Sequence, residues 1–191
     1  MTGVTQLHNV LYVVCLESSI IAMYTADTLS SVADIHVEGM KDPRDIVVCR
    51  HDRQLYVADC DYCIWRVSVD DHSYVKWLPQ SSTDKFHVWT LSVTSRRLLV
   101  TSRDPPTVHQ YNTTNKELLC VVQIPQYVKC MLHAVETTHN TFVISHRGTS
   151  QDKQQYAVSE LFRFCHSLVI LITTTYYFNN SQLTNFTHTC N

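Results

Sequence analysis

Glycine is scarce in this chain, and its scarcity excludes one large class of site. Only three glycines occur among 191 residues: Gly3, Gly39 and Gly148. Phosphate-binding loops need several closely spaced glycines, because the backbone must approach the phosphate oxygens directly. A glycine-rich nucleotide loop is therefore excluded, and aspartate, asparagine, serine and proline must supply most of the turns.

The chain also lacks an excess of charge of one sign. It carries 15 Lys and Arg residues against 17 Asp and Glu, a formal net charge of −2. A protein that holds nucleic acid through its overall field needs a large positive charge. That mode of binding is excluded, and only a local basic patch is left as a route to RNA.

The first residues lack the features of a secretory signal peptide. No basic segment precedes their apolar residues, which Glu17 and Ser18 interrupt. We therefore expect a cytoplasmic protein. Most of the eight cysteines lie in apolar, strand-like runs, as Cys15, Cys49 and Cys120 do. They are predicted to be buried, reduced thiols rather than the disulfides of a secreted framework.

Two strand motifs recur along the chain with one period. Copies of the first motif are 43 or 44 residues apart, and they begin at Leu11, Leu55, Leu98 and Phe142. Copies of the second motif are 44 residues apart, and they begin at Ile20, Ile64 and Val108. A shared period in two separate motifs indicates an internal structural repeat.

Each repeat has the pattern of four short strands. The clearest copy predicts strands over 45–49, 55–58, 64–69 and 74–78, with polar turns between them and Pro79 after the last. Four strands in 40 to 45 residues are typical of a propeller blade, and helical periodicity is absent. We predict an all-β fold: an incomplete, open β-propeller of four-stranded antiparallel blades.

The second unit resembles a known repeat family. Its residues read Asp42-Pro43-Arg44-Asp45-Ile46-Val47-Val48, then Gln54-Leu55-Tyr56-Val57-Ala58-Asp59 and Ile64-Trp65-Arg66-Val67. This pattern is similar to the NHL repeat, with a proline before the inner strand and aspartate after the second strand. Ser102 and His146 replace that aspartate in later units. WD40 and kelch repeats are disfavoured, since the chain has no Gly-His…Trp-Asp pair and no Gly-Gly doublet. The resemblance implies a scaffold that binds proteins, or RNA in some members.

The units are predicted to be too few to close a ring. They cover 1–162, as blades at about 1–41, 42–85, 86–128 and 129–162, and the first lacks a convincing first strand. NHL-like rings usually have six blades, so the end units would leave open strand edges and an apolar flank. Three interpretations remain: a fragment of a longer protein, which we favour, self-association through the open edges, or coverage of one edge by the tail.

The C-terminal tail, 163–191, differs from the repeats in having no charged residue after Arg163. Its aliphatic run, 168–172, is far shorter than the roughly 20 residues of a membrane helix. We expect no membrane insertion. The tail is predicted to form an edge strand or hairpin, or to be sequence foreign to the repeats.

Catalytic and metal-binding patterns are weak. Cys60 and Cys63 form a Cys-x-x-Cys, but a zinc site needs two more ligands, and only Cys49 and His51 are close in sequence. Nothing resembles a Gly-x-Ser-x-Gly nucleophile motif. A metal-dependent lactonase or lyase would need acidic or histidine side chains on the inner strands, and the segments 46–48, 90–93 and 132–135 are mostly apolar. We expect no enzyme activity, no metal and no cofactor.

Binding is instead predicted at one end of the sheets, which we call the loop face. It is formed by the loops between second and third strands and by the connections between units, and loops on a rigid scaffold often carry function. The candidate binding residues on this face are Asp42, Arg44, Asp59, Asp61, Tyr62, Arg103, Asp104, His146 and Arg147. A protein partner is favoured. RNA is the second choice, because the aspartates largely offset the arginines.

Overall fold

The computed structural model describes residues 2–60, 63–78, 86–103, 105–124, 129–137, 141–147, 156–164, 168–171 and 176–178. All regular structure in these ranges is β-strand, which confirms the predicted all-β class. None of the described residues belongs to a helix that could cross a membrane.

The strands form four antiparallel sheets in chain order. The first contains β1 (Gly3–Leu7), β2 (Val10–Val14), β3 (Ile20–Thr25) and β4 (Ser31–His36). The second contains β5 (Pro43–Cys49), β6 (Gln54–Asp59), β7 (Cys63–Ser68) and β8 (Tyr74–Leu78). The third contains β9 (Val88–Thr94), β10 (Arg97–Arg103), β11 (Pro106–Asn112) and β12 (Leu118–Gln123). The fourth contains β13 (Lys129–Glu136), β14 (Thr141–Arg147), β15 (Tyr156–Phe164) and β16 (Leu168–Leu171), and β17 (Tyr176–Phe178) also pairs with β15.

The repeat residues occupy equivalent places. Leu55, Leu98 and Phe142 lie on β6, β10 and β14, the second strands of their sheets, and all three are buried. Each belongs to the apolar layer shared with the preceding sheet. Burial of such a side chain stabilises the fold by roughly 1.5–3 kcal/mol relative to exposure. The sequence period therefore corresponds to sheets stacked side by side.

Polar contacts join the neighbouring inner strands. The Thr2 hydroxyl donates to the Pro43 carbonyl at 2.8 Å, which connects the start of β1 to β5. The Ser92 hydroxyl donates to the Ala134 carbonyl at 2.8 Å, which connects β9 to β13. These bonds align the inner strands, and the four sheets form an arc rather than a closed ring.

The scarcity of glycine has a visible consequence in the turns. His8, Arg53 and Ser95 adopt positive φ angles of 52°, 51° and 55° in the hairpins between first and second strands. Leu29, His72 and Lys116 do the same between third and fourth strands. The left-handed region disfavours residues with a Cβ atom. Equivalent turns of successive units therefore keep the same left-handed backbone conformation, although none of these positions is a glycine.

The first unit departs from expectation. The prediction that it lacks a first strand is wrong, because β1 spans Gly3–Leu7. This strand is short and two of its inner residues are polar, so its sequence pattern is weak. Gly3 lies directly against β5: a Cβ atom there would be 2.9 Å from the Ile46 nitrogen. Glycine at this position permits the close approach of the two backbones.

The fourth sheet continues past residue 162. β15 extends to Phe164, and β16 pairs with its C-terminal part through Leu161–Leu171 and Phe164–Leu168 contacts. The aliphatic run of the tail therefore supplies the outer strand of this sheet.

Candidate functional site

The candidate site lies on the loop face, where the second and third sheets meet. It consists of Asp42, Arg44, Trp89 and Arg103, which we call the arginine–tryptophan cluster. The guanidinium carbon of Arg44 is 4.8 Å from the centre of the Trp89 ring, and that of Arg103 is 5.0 Å away. Both distances are within the range of a cation–π interaction.

Two β-bulges place the central members of the cluster. Pro43 pairs with Asp59 and Asp45 with Ala58, so Arg44 is the extra residue of a bulge on β5. On β9, Val88 pairs with Ser102 and Thr90 with Thr101, which leaves Trp89 in the equivalent bulge. A bulge redirects a side chain and is common beside functional sites.

Asp42 and Arg44 form a long ion pair within the cluster. Arg44 Nη2 lies 3.5 Å from Asp42 Oδ2, with side chains 28% and 26% exposed. The other carboxylate oxygen of Asp42 accepts a long 3.4 Å hydrogen bond from the Glu17 backbone. The Arg44 Nε–H is buried without an acceptor among the described residues.

Asp59 has a structural role that differs from the predicted one. It is fully buried, so the prediction that it contacts a partner is wrong. Its carboxylate accepts hydrogen bonds from the backbone nitrogens of Lys41, Asp42 and Cys60 at 3.1, 2.9 and 2.8 Å. It also accepts one from the Trp65 indole nitrogen at 2.9 Å. Asp59 thus fixes the connection between the first and second sheets beneath the loop face.

The remaining predicted residues divide into three groups. Arg103 is exposed at the end of β10, and its binding role stays a prediction. His146 is only 4% exposed, so its predicted contact with a partner is corrected to a buried position in β14. Asp61, Tyr62 and Asp104 lie outside the described residues, and Arg147 is described only as the last residue of β14.

Trp89 is the residue that the sequence interpretation missed. It is half-buried at the start of β9, whereas Trp65 and Trp77 are almost completely buried. The spacing between Arg44 and Trp89 is 45 residues, one more than the usual repeat interval. Nothing in the sequence marks the bulges that bring these two side chains together.

The Cys-x-x-Cys does not gain further ligands from Cys49 and His51. Cys49 pairs with Gln54 and Cys63 pairs with Asp59, so the two cysteines lie at opposite ends of β6. Five residues of extended strand separate those ends by about 17 Å. Burial raises the pKa of the Cys49 thiol, which donates to the Ser95 carbonyl at 3.4 Å. Within the described part of the chain, no group of three His, Cys, Asp or Glu side chains could hold a metal.

The inner strands are less apolar than expected. Asp45 and His133 line a concave cavity of about 510 Å³ on the inner side of the arc. Burial raises the pKa of Asp45, and the nearby His133 lowers it to a smaller extent. The carboxylate accepts hydrogen bonds from the Leu91 nitrogen at 2.7 Å and the Ile46 nitrogen at 2.9 Å. Asp45 therefore connects β5 to β9.

No family model matches this chain, and no curated protein matches it in sequence. Solved structures do. Hydrazine synthase of Kuenenia stuttgartiensis superposes with a TM-score of 0.70 at 12% identity, over 90% of this chain and 53% of that one. The β-propeller domain of Cps50 (Swd1) from Myceliophteria thermophila superposes with a TM-score of 0.62 at 10% identity, over 92% and 56%.

The fold is that of a β-propeller. Four like sheets in an arc, together with these structural neighbours, show an incomplete propeller, as the sequence period predicted. The chain spans about half the length of the propeller-containing chains that it matches. At 10–12% identity the likeness establishes the fold alone. The arginine–tryptophan cluster lies at the junction of the second and third blades of this propeller.

Proposed function

We propose that this propeller is a non-enzymatic scaffold of the NHL type that presents its loop face to a protein partner. The arginine–tryptophan cluster is the observation that supports the proposal. Arginine and tryptophan are enriched among the residues that dominate protein–protein binding energy. Here they occupy two adjacent bulges on inner strands, and an exposed Arg103 completes the group. The cytoplasmic location stays a prediction from the sequence.

The inner cavity that Asp45 lines has a structural role in such a scaffold. Both oxygens of Asp45 accept hydrogen bonds from backbone nitrogens of β5 and β9, which aligns the two strands. A metal-dependent hydrolase or lyase would require several side chains that converge on one ion. Metal analysis of the purified protein tests this part of the proposal. Detection of bound calcium or zinc would contradict a non-enzymatic function.

Reversal of one charge on the loop face tests the proposal. Proteins recovered with the tagged chain are quantified for the unmodified form, for Arg103→Glu, and for Arg53→Glu as a control. Arg53 lies in the β5–β6 turn at the other end of the sheet, where it pairs with Asp70 at 2.7 Å. We expect a partner that Arg103→Glu loses and Arg53→Glu retains. Equal loss with both variants, or retention with both, would contradict binding through the loop face.

RNA is the second candidate, and the same cluster favours it. An aromatic ring beside two guanidinium groups combines a stacking surface with phosphate contacts, as in many RNA-binding sites. A filter-binding assay with single-stranded RNA at low and moderate salt tests this function. Salt-sensitive binding that Arg103→Glu abolishes would support RNA, and an absence of binding would eliminate it.

A further inference from the structure

We infer that a cleft between the second and third blades binds a small oxyanion, the carboxylate or the phosphate group of a small molecule. The cleft lies at the end of the sheets opposite the loop face, so this site is additional to the proposed partner surface. It has a volume of about 250 Å³ and is lined by Asp52, Gln54, Tyr56, Arg66, Thr113 and Thr114. Pockets for drug-sized ligands usually measure about 300–1,000 Å³, so this cleft suits a smaller molecule. We call it the Arg66 cleft.

Arg66 supplies a positive charge that no described residue balances. It lies on β7 directly opposite Tyr56 on β6, and cross-strand partners share one face of a sheet. Tyr56 packs in the apolar layer with the third blade, so Arg66 faces that blade as well. Arg66 is half-buried, and its guanidinium forms no ion pair or hydrogen bond with any described residue. An anion in the cleft would provide the missing partner.

The Tyr56 hydroxyl is a second donor that lacks an acceptor. Its side chain is 0% exposed, and its oxygen has no hydrogen-bond partner among the described residues. Burial raises the pKa of Tyr56, as do the nearby Cys49 and Asp52, whereas Arg66 and Thr113 lower it to a smaller extent. The hydroxyl therefore stays protonated at neutral pH and can donate. A buried donor without a partner is costly and uncommon, and a bound oxyanion would satisfy it.

The acidic side chain of the cleft is already occupied. Among the described residues of the lining only Asp52 is acidic, and it accepts a hydrogen bond from the Thr113 hydroxyl at 2.8 Å. Its other oxygen lies 2.9 Å from His51 Nδ1, and Arg96 Nη2 lies 2.9 Å from His51 Nε2. The charge of Arg96 therefore offsets that of Asp52 across the His51 ring. Arg66 is left as the unbalanced charge of the cleft.

Neutral polar groups complete the lining. Gln54 begins β6, and Thr114 is exposed in the β11–β12 turn of the third blade. Their amide and hydroxyl groups are further donors to the oxygens of a ligand. Tyr56 and Thr113 are the buried members of the lining, so they form the floor of the cleft. A bound oxyanion would therefore connect Arg66 of the second blade to the turn of the third.

Calorimetric titration with two small anions tests the inference. The probes are acetate and methyl phosphate, with acetamide as the neutral molecule of the same shape as acetate. We expect saturable binding of at least one anion and no binding of acetamide, because the site recognises charge. The anion that binds more tightly identifies whether a carboxylate or a phosphate is the preferred group.

Substitutions within the cleft separate a ligand site from a structural role. Arg66→Gln should abolish binding of the anion. Tyr56→Phe should weaken it about tenfold, a change of about 1.4 kcal/mol, with a melting temperature that is equal or higher because an unpaired buried hydroxyl is removed. A structural hydroxyl would instead give a lower melting temperature and leave binding unchanged. Arg53→Gln is the matched control, since Arg53 already pairs with Asp70, and it should bind as the unmodified chain does.

Three results would overturn the inference. The first is an absence of saturable binding for both anions up to about 10 mM. The second is binding that Arg66→Gln leaves unchanged while circular dichroism shows that the variant is folded. The third is equal binding of acetamide and acetate, which would show that charge is not recognised.

Discussion

At the scale of single residues, buried polar groups organise the loop face more than exposed ones do. Asp59 illustrates this, because one carboxylate satisfies three backbone nitrogens and an indole nitrogen at the connection between two blades. A sequence motif identified Asp59 as notable and suggested a partner-facing role. Its true partners come from a preceding loop and a neighbouring strand, and their positions depend on the fold.

Replacement of Asp59 by alanine should destabilise the protein strongly. Four donors would lose their acceptor inside the fold, and an unsatisfied buried group costs about 1–3 kcal/mol. We expect Asp59→Ala to lower the free energy of unfolding by about 3 kcal/mol in urea denaturation. Asp59→Asn, which keeps one side-chain oxygen, should lose less. Equal stability of Asp59→Ala and the unmodified chain would contradict this role.

Asp45 should make stability depend on pH. Burial raises its pKa above the usual 3.8, so the folded state holds this proton more tightly than the unfolded state does. The contribution of Asp45 is therefore most favourable below pH 3.8 and declines as the pH rises through its folded pKa. We expect Asp45→Asn to gain stability relative to the unmodified chain as the pH rises from about 4 through the folded pKa of Asp45. A difference that is constant with pH would contradict the raised pKa.

At the scale of strands and turns, the repeat is visible in apolar residues but not in backbone irregularities. Leu55, Leu98 and Phe142 were predicted as equivalent, and they are. The bulges at Arg44 and Trp89 were not, because a bulge arises from the pairing of two strands. Tertiary pairing, rather than local preference, therefore determines the geometry of the candidate site.

The left-handed turn residues predict a stabilising substitution. Lys116 is exposed, with φ of 64° in the β11–β12 turn. Glycine adopts this conformation without the Cβ penalty. We expect Lys116→Gly to raise the free energy of unfolding by roughly 0.5–1 kcal/mol. Lys116→Ala is the matched control and should give no gain. A gain with alanine equal to that with glycine would show that the charge, and not the backbone, is responsible.

At the scale of the whole molecule, the first blade has one covered and one open face. Tyr12, Val14 and Ile21 pack in the layer shared with the second blade. Val4, Val13 and Ala22 form a row across β1, β2 and β3 on the other face, and Val4 is 50% exposed. The sequence predicted such an apolar flank from the number of units, and exposed apolar patches favour association.

Self-association of the isolated chain is the expected consequence. Sedimentation velocity should show an average mass that rises with concentration, because the open flank buries apolar surface in a second copy. Val4→Lys should reduce this rise, since it places a charge on the flank at an exposed position. A single monomeric species at every concentration would contradict the prediction.

Hydrogen exchange on the chain in complex with its protein partner tests the central claim most directly. The claim is that the partner binds across the arginine–tryptophan cluster on the loop face. We expect slower exchange on binding at residues 41–45, 86–90 and 103, with no change in the turns at 50–53 and 95–96. Protection of those turns, with the loop face left unchanged, would contradict the account.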